Sequence, residues 1–104
     1  MIRLKVLKQK ALYSIDKGIF EIEELMKSNS FEKNISQECL MVFISNLRKA
    51  RPLINEDKDL ADIDNYKSMG RIIVDSWPKN TKAGNAILDA ERYIVDFYEE
   101  RKKH

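Results

Sequence analysis

Residues 4–26 read LKVLKQKALYSIDKGIFEIEELM. Within them Leu4, Leu7, Ala11, Ile15, Ile19, Ile22 and Met26 recur at steps of three or four. A helix turns by about 100° per residue, so this spacing gathers those side chains on one face for about seven turns. A half-buried strand needs apolar and polar residues in strict alternation, and no stretch of useful length in the chain shows it. The opening stretch therefore predicts a long amphipathic helix and an all-α fold class.

Working outward, the stripe stops at SNSFEKN, residues 28–34. Asn34 with Gln37 reads as a capping box for a second helix whose face carries Leu40, Phe43, Ile44, Leu47 and Ala50. Pro52 is expected to stop it, because proline pushes the preceding Arg51 out of the helical region. Leu60, Ile63, Tyr66, Gly70, Ile73 and Trp77 mark a third helix, with Asp57, Asp59, Asp62 and Asp64 at its start, where the helix dipole favours anions. Pro78 ends it, and Asn80 or Thr81 caps a fourth, whose stripe is Ala83, Ile87, Ala90, Ile94 and Phe97. The helices are expected at about 3–28, 35–51, 59–77 and 81–101. Joined by short connections, they predict one domain over residues 1–104, an antiparallel four-helix bundle with the first and fourth helices as neighbours.

Local features agree with that layout. The first helix starts basic (Arg3, Lys5, Lys8, Lys10) and ends acidic (Glu21, Glu23, Glu24), against its own dipole. In the bundle its start is expected beside the acidic start of the third helix and beside Glu99 and Glu100. Gly18 and Gly70 fall inside helices, where glycine costs about 1 kcal/mol relative to alanine. They are read as places where a neighbouring helix or a bulky side chain packs on bare backbone. The corner VDSWPKNTKAG, residues 74–84, is read as structural, with Trp77 plugging the end of the bundle and its N–H reaching a loop carbonyl.

Composition and the inventory of reactive groups exclude much chemistry. The 19 Lys and Arg nearly cancel the 17 Asp and Glu, leaving a net charge of +2 and no global pull toward nucleic acid or anionic membrane. No apolar run approaches the roughly 20 residues that span a bilayer, and the N-terminal stretch lacks the uninterrupted apolar core of a signal peptide. A soluble cytoplasmic protein with no membrane partner is expected. Cys39 is the single cysteine and reads as a small, partly buried hydrophobe. The single histidine is the terminal His104, so neither a Ser-His-Asp triad nor a Cys-His zinc site can be assembled from one chain. Aligned from Asp57 as a calcium loop, the run offers Asp62 where glycine is needed and Ser68 where glutamate is needed. No catalytic residue, cofactor or metal is expected.

The feature left over is a second apolar line on the first helix. Ile2, Val6, Tyr13 and Phe20 fall in a narrow sector nearly opposite the stripe from Leu4 to Met26, with Lys10 and Lys17 flanking. Three arrangements accommodate it. The line packs inside a more central helix, it pairs with a second copy in a homodimer, or it is a surface for a different protein. Met41 and Val42 on the second helix are candidates to widen such a patch. A competing site is basic: Arg48, Lys49 and Arg51, with Lys79 and Lys82, and with Arg101 to Lys103 in a tail expected to be mobile. These clusters are short and lack interleaved stacking aromatics, so nucleic acid is the less favoured partner.

In size and helical layout the chain is similar to small bacterial immunity and antitoxin-type proteins, compact cytoplasmic bundles that bind a toxin and block it. The resemblance implies a non-enzymatic protein that neutralises a toxin by occlusion. Val6, Tyr13 and Phe20 would then be the contact line, and Lys10 and Lys17 would set specificity. The alternative is a dimeric nucleic-acid-associated regulator using Arg48, Lys49 and Arg51.

Overall fold

The computed structural model describes residues 2–28 and 35–103. It holds four helices: α1 (Ile2–Ser28), α2 (Gln37–Asn55), α3 (Ile63–Ser76) and α4 (Lys82–Lys102). No strand occurs among the described residues, and the fold is an all-α four-helix bundle. Its long axis of 43 Å matches the rise of about 40 Å for the 27-residue α1.

α1 is the spine. It packs most extensively on α4 and next on α2, while α3 lies on α4 and only brushes α2. Both contacts of α1 are antiparallel. Glu23, Asp16 and Lys8, read backwards along α1, meet Arg48, Arg51 and Asp57 in ascending order. Gly18 faces Ala86 and Ala90, and Arg3 near the start of α1 reaches Glu100 near the end of α4. The periodic residues fill the interior: Ala11, Ile15, Ile22, Leu40, Leu47, Ile87, Ala90, Ile94 and Phe97 are fully buried.

The basic start of α1 is offset as the charge pattern predicts. Arg3 Nε donates to Glu100 Oε1 at 2.8 Å, and Lys8 Nζ reaches Asp57 Oδ2 at 3.2 Å. Glu100 is the partner, while Glu99 stays exposed.

The two interior glycines mark close approaches. A Cβ on Gly18 would lie 3.0 Å from Leu47 Cδ1, with Ala90 Cβ at 3.9 Å, so α1, α2 and α4 converge there. At Gly70 the missing Cβ leaves room for the Glu91 carboxylate, whose Oε1 accepts from the Gly70 N–H at 3.0 Å. One glycine admits a neighbouring helix and the other admits a side chain.

Several boundaries differ from the sequence expectation. Pro52 lies inside α2, which continues to Asn55. Proline in the last turn forfeits a single helical bond, and the fully buried Ile54 favours one more turn. Arg51 keeps its helical place and clasps Asp16 with two nitrogens, at 2.6 and 3.1 Å. The helix closes in a Schellman arrangement: Asp57 turns left-handed (φ 57°), its N–H bonds Ile54 O at 3.1 Å, and Lys58 N–H bonds Leu53 O at 2.8 Å. At the other end Asn34 lies outside the described residues, and Ser36 is the N-cap, accepting from Cys39 N–H at 3.1 Å.

α3 starts at Ile63, later than the expected 59. Asp57 and Asp59 precede it and serve instead as ion-pair partners of Lys8 and Arg101. Asp62 occupies the N-cap position without a capping bond, because its carboxylate meets Lys49. At the next corner Trp77 caps α3 and is buried, with its ring centroid 5.7 Å from that of Phe43. Asn80 takes the left-handed conformation (φ 62°), and Thr81 caps α4 by accepting from Gly84 N–H at 3.1 Å. The indole N–H expectation fails. Trp77 Nε1 is buried without a hydrogen-bond partner among the described residues. The Cys39 sulfur lies near the indole but makes no hydrogen bond of normal geometry with it. The tail is also ordered further than expected, with α4 running to Lys102 and Arg101 held by Asp59.

Candidate protein-docking surface

The second apolar line of α1 points away from the bundle. Tyr13 is 70% exposed, Phe20 56% and Val6 40%, and Ile2 near the end of the helix is freer still. The inside arrangement considered from the sequence is therefore excluded. One broad face of α1 already meets both α2 and α4, so no helix remains to cover the opposite side.

The line does not form one continuous floor. Val6, Lys10, Tyr13 and Lys17 border a groove of about 410 Å³ between α1 and α4. Its far wall is Ala86, Asp89 and Tyr93, and Ser14 lies at its base. Phe20 instead overhangs a second hollow, formed with Leu25, Ile35, Thr81 and Ala83 at the other end of the bundle. The Lys10 ammonium lies 5.8 Å from the centroid of the Tyr93 ring, and the Arg92 guanidinium 5.0 Å from it.

Sequence reasoning missed the α4 wall and Ser14. Asp89 and Tyr93 sit beside the stripe from Ala83 to Phe97, where they read as ordinary flanking residues. Ser14 follows Tyr13 in a sector that α4 covers, a small hydroxyl among aliphatic neighbours. That polar intrusion was the one available signal. Met41 and Val42 are both exposed, but they do not act together. Met41 borders a hollow with Met26 and Ile44 between α1 and α2, and Val42 is turned about 100° further around α2. Ile72 and Val74 on α3 are additional exposed aliphatics.

The basic cluster is engaged internally. Arg48 Nη2 donates to Glu23 Oε2 at 2.9 Å, Lys49 Nζ to Asp62 Oδ2 at 3.2 Å, and Arg51 to Asp16. The Asp16 carboxylate, through its hydrogen bond and charge, pushes the Arg51 guanidinium above its ordinary value. A phosphate at these cations has to displace three carboxylates.

Cys39 and Glu91, both part-buried, titrate above their usual range. Burial raises the half-buried Cys39 thiol, with the nearby Trp77 indole partly opposing it, which favours the protonated form and not a thiolate nucleophile. Burial also raises Glu91, against the lowering effect of the Gly70 N–H, Arg71 and Lys67. Neither group stands in the α1–α4 groove. Among the described residues no group of three or more His, Cys, Asp or Glu side chains is arranged to hold a metal ion, and no helix is long and apolar enough to cross a membrane. Comparison with protein-family models, with curated proteins and with solved structures finds no match.

Proposed function

We propose that this chain is a small non-enzymatic protein-binding bundle of the bacterial immunity or antitoxin type. It acts in the cytoplasm and neutralises a toxin by direct contact. The observation that carries the reading is the outward-facing line of Val6, Tyr13 and Phe20 on a helix whose opposite face is fully used by the core. Exposed aromatics ringed by charge suit partner recognition, because they bury a large area with few rotatable bonds. Occlusion needs only such a surface held rigidly, and α1 is held by two helices. The nucleic-acid alternative takes second place, since Arg48, Lys49 and Arg51 are each paired with a carboxylate.

The test is capture from an extract of the source organism by the immobilised chain, beside Phe20→Glu and Lys49→Glu, with folding checked by circular dichroism. A protein retained by wild type and Lys49→Glu but lost with Phe20→Glu is the expected result. That protein, expressed alone, should arrest growth, and co-expression of wild type should restore it. Retention unaffected by Phe20→Glu rules out the ridge, and retention of nucleic acid alone, released by Lys49→Glu, selects the basic cluster.

A further inference from the structure

We infer that the groove between α1 and α4 receives an acidic segment of the partner protein, with a carboxylate seated between Lys10 and Lys17. The inference rests on the reading of the ridge as a protein interface and assigns the chemistry of what meets it.

Three observations point to a carboxylate. First, Lys10 and Lys17 are the two cations that line the groove, and among the described residues neither has a carboxylate within ion-pair distance, a state they share with cations outside it such as Lys5, Lys82 and Arg92. The two lysines are seven residues apart on one helix and so project to the same side, bracketing Tyr13. Second, Ser14 is only 5% exposed, lines the groove, and its hydroxyl has no hydrogen-bond partner among the described residues. Its oxygen is not among the buried atoms left without a partner, so solvent reaches it from the groove, and an acceptor on a bound segment can take that place. Third, the groove has apolar flanks in Val6 and the rings of Tyr13 and Tyr93, which shield an ion pair from solvent better than an open surface does.

The remaining charge in the groove refines the occupant. Asp89 stands on the α4 wall, opposite the lysines. A polyanion such as a phosphate chain meets repulsion there. A helix carrying one carboxylate among apolar residues does not, provided its acid faces α1. A second copy of this chain fits poorly. Packed antiparallel about Tyr13, two copies stack Val6 on Phe20 but set Lys10 of one against Lys17 of the other, a like-charge juxtaposition. The free chain is therefore expected to be a monomer.

The experiment uses two synthetic helical peptides with the same leucine stripe, one flanked by glutamates and the other by glutamines. Each is titrated into the isotope-labelled full chain and followed by NMR. The glutamate peptide should bind at least about fivefold more tightly at low salt, shift the amides of Ser14, Lys17 and Tyr93, and lose that advantage as salt rises. The double variant Lys10→Gln/Lys17→Gln should bind both peptides equally. Ser14→Ala should lower the glutamate preference alone. Equal affinity for the two peptides, a preference that survives the double substitution, or no binding of either overturns the assignment. So does a single-stranded oligonucleotide that shifts the same amides at lower concentration.

Phe20→Ala separates this from the reading beneath it. Weaker binding of both peptides with the glutamate preference intact supports ridge and groove together. Equal binding of both peptides that still depends on Phe20 keeps the ridge and removes the groove assignment. A preference intact with no dependence on Phe20 keeps the groove and removes the ridge.

Discussion

The two sides of α1 carry comparable apolar residues and meet different fates. On one side Leu7, Ala11, Ile15 and Ile22 are buried against α2 and α4. On the other Val6, Tyr13 and Phe20 stand in solvent. Both lines recur at helical spacing, so both read as amphipathic faces. Hydrophobic stabilisation follows the area removed from water and not the apolar character of the residue. The inner line therefore contributes to folding, and the outer line, left in water, contributes little.

The most severe way to break this comparison is truncation on both sides. Ile15→Ala and Ile22→Ala should each lower unfolding stability by about 2–5 kcal/mol, because each leaves a cavity in a closed core. Phe20→Ala removes more atoms and should change stability by no more than about 0.5 kcal/mol. Urea denaturation of the three variants decides it. A large loss for Phe20→Ala means that the outer line is part of the fold.

Gly18→Ala sharpens the same contrast within the inner face. Alanine is the better helix former by about 1 kcal/mol, but the new methyl meets the buried Leu47 at 3.0 Å. Leu47 is fully buried, so the core resists the small shift it must make, and the net effect should be a loss of about 1–3 kcal/mol. A stabilised Gly18→Ala, measured by thermal unfolding, shows that the three helices are less tightly joined than the structure has them.

Trp77→Phe asks what burial does to a polar atom. The substitution gives up part of a large ring but also removes an N–H that has no partner among the described residues. The two effects oppose, and the change should stay within about 1 kcal/mol of wild type. A much larger loss indicates that the indole N–H is bonded in solution.

The smallest effect belongs to Glu91. Burial raises its pKa above 4.5, so its neutral form suits the folded state better than its ionised form. The folded chain binds the proton more tightly than the unfolded chain. The stability associated with the neutral form is present below pH 4.5 and is lost as pH rises through the raised folded value. Glu91→Gln keeps an oxygen for the Gly70 N–H and should flatten that slope. Stability curves from pH 3.5 to 7, measured for both chains, check the sign; a wild-type curve that rises in this window through Glu91 alone contradicts it.

Much of the bundle was legible because helical periodicity is local. The stripes from Leu4 to Met26, Leu40 to Ala50 and Ala83 to Phe97 placed three core faces, and Pro78 with Thr81 placed a corner. The two interior glycines announced close approach. The misjudged ends have a shared cause. Pro52 and the aspartates from 57 onward were weighed by local preference alone. In the fold, Ile54 is held in the core and Asp57 and Asp59 are drawn to Lys8 and Arg101. Half of the candidate site was legible: the ridge is on a single helix, and its spacing is visible. The groove was not, since its walls, Lys17 and Ala86 at their nearest, are far apart in the sequence.

The sequence by itself determined the helical class, the core face of each helix and the existence of two apolar lines on α1, because each of these depends on residues a turn or two apart. The tertiary structure decided which line faces inward, which cations are already paired, and that Ser14, Lys10, Lys17, Asp89 and Tyr93 share one groove. Those properties depend on where α2 and α4 lie around α1, and that arrangement is set by packing between residues far apart in the chain.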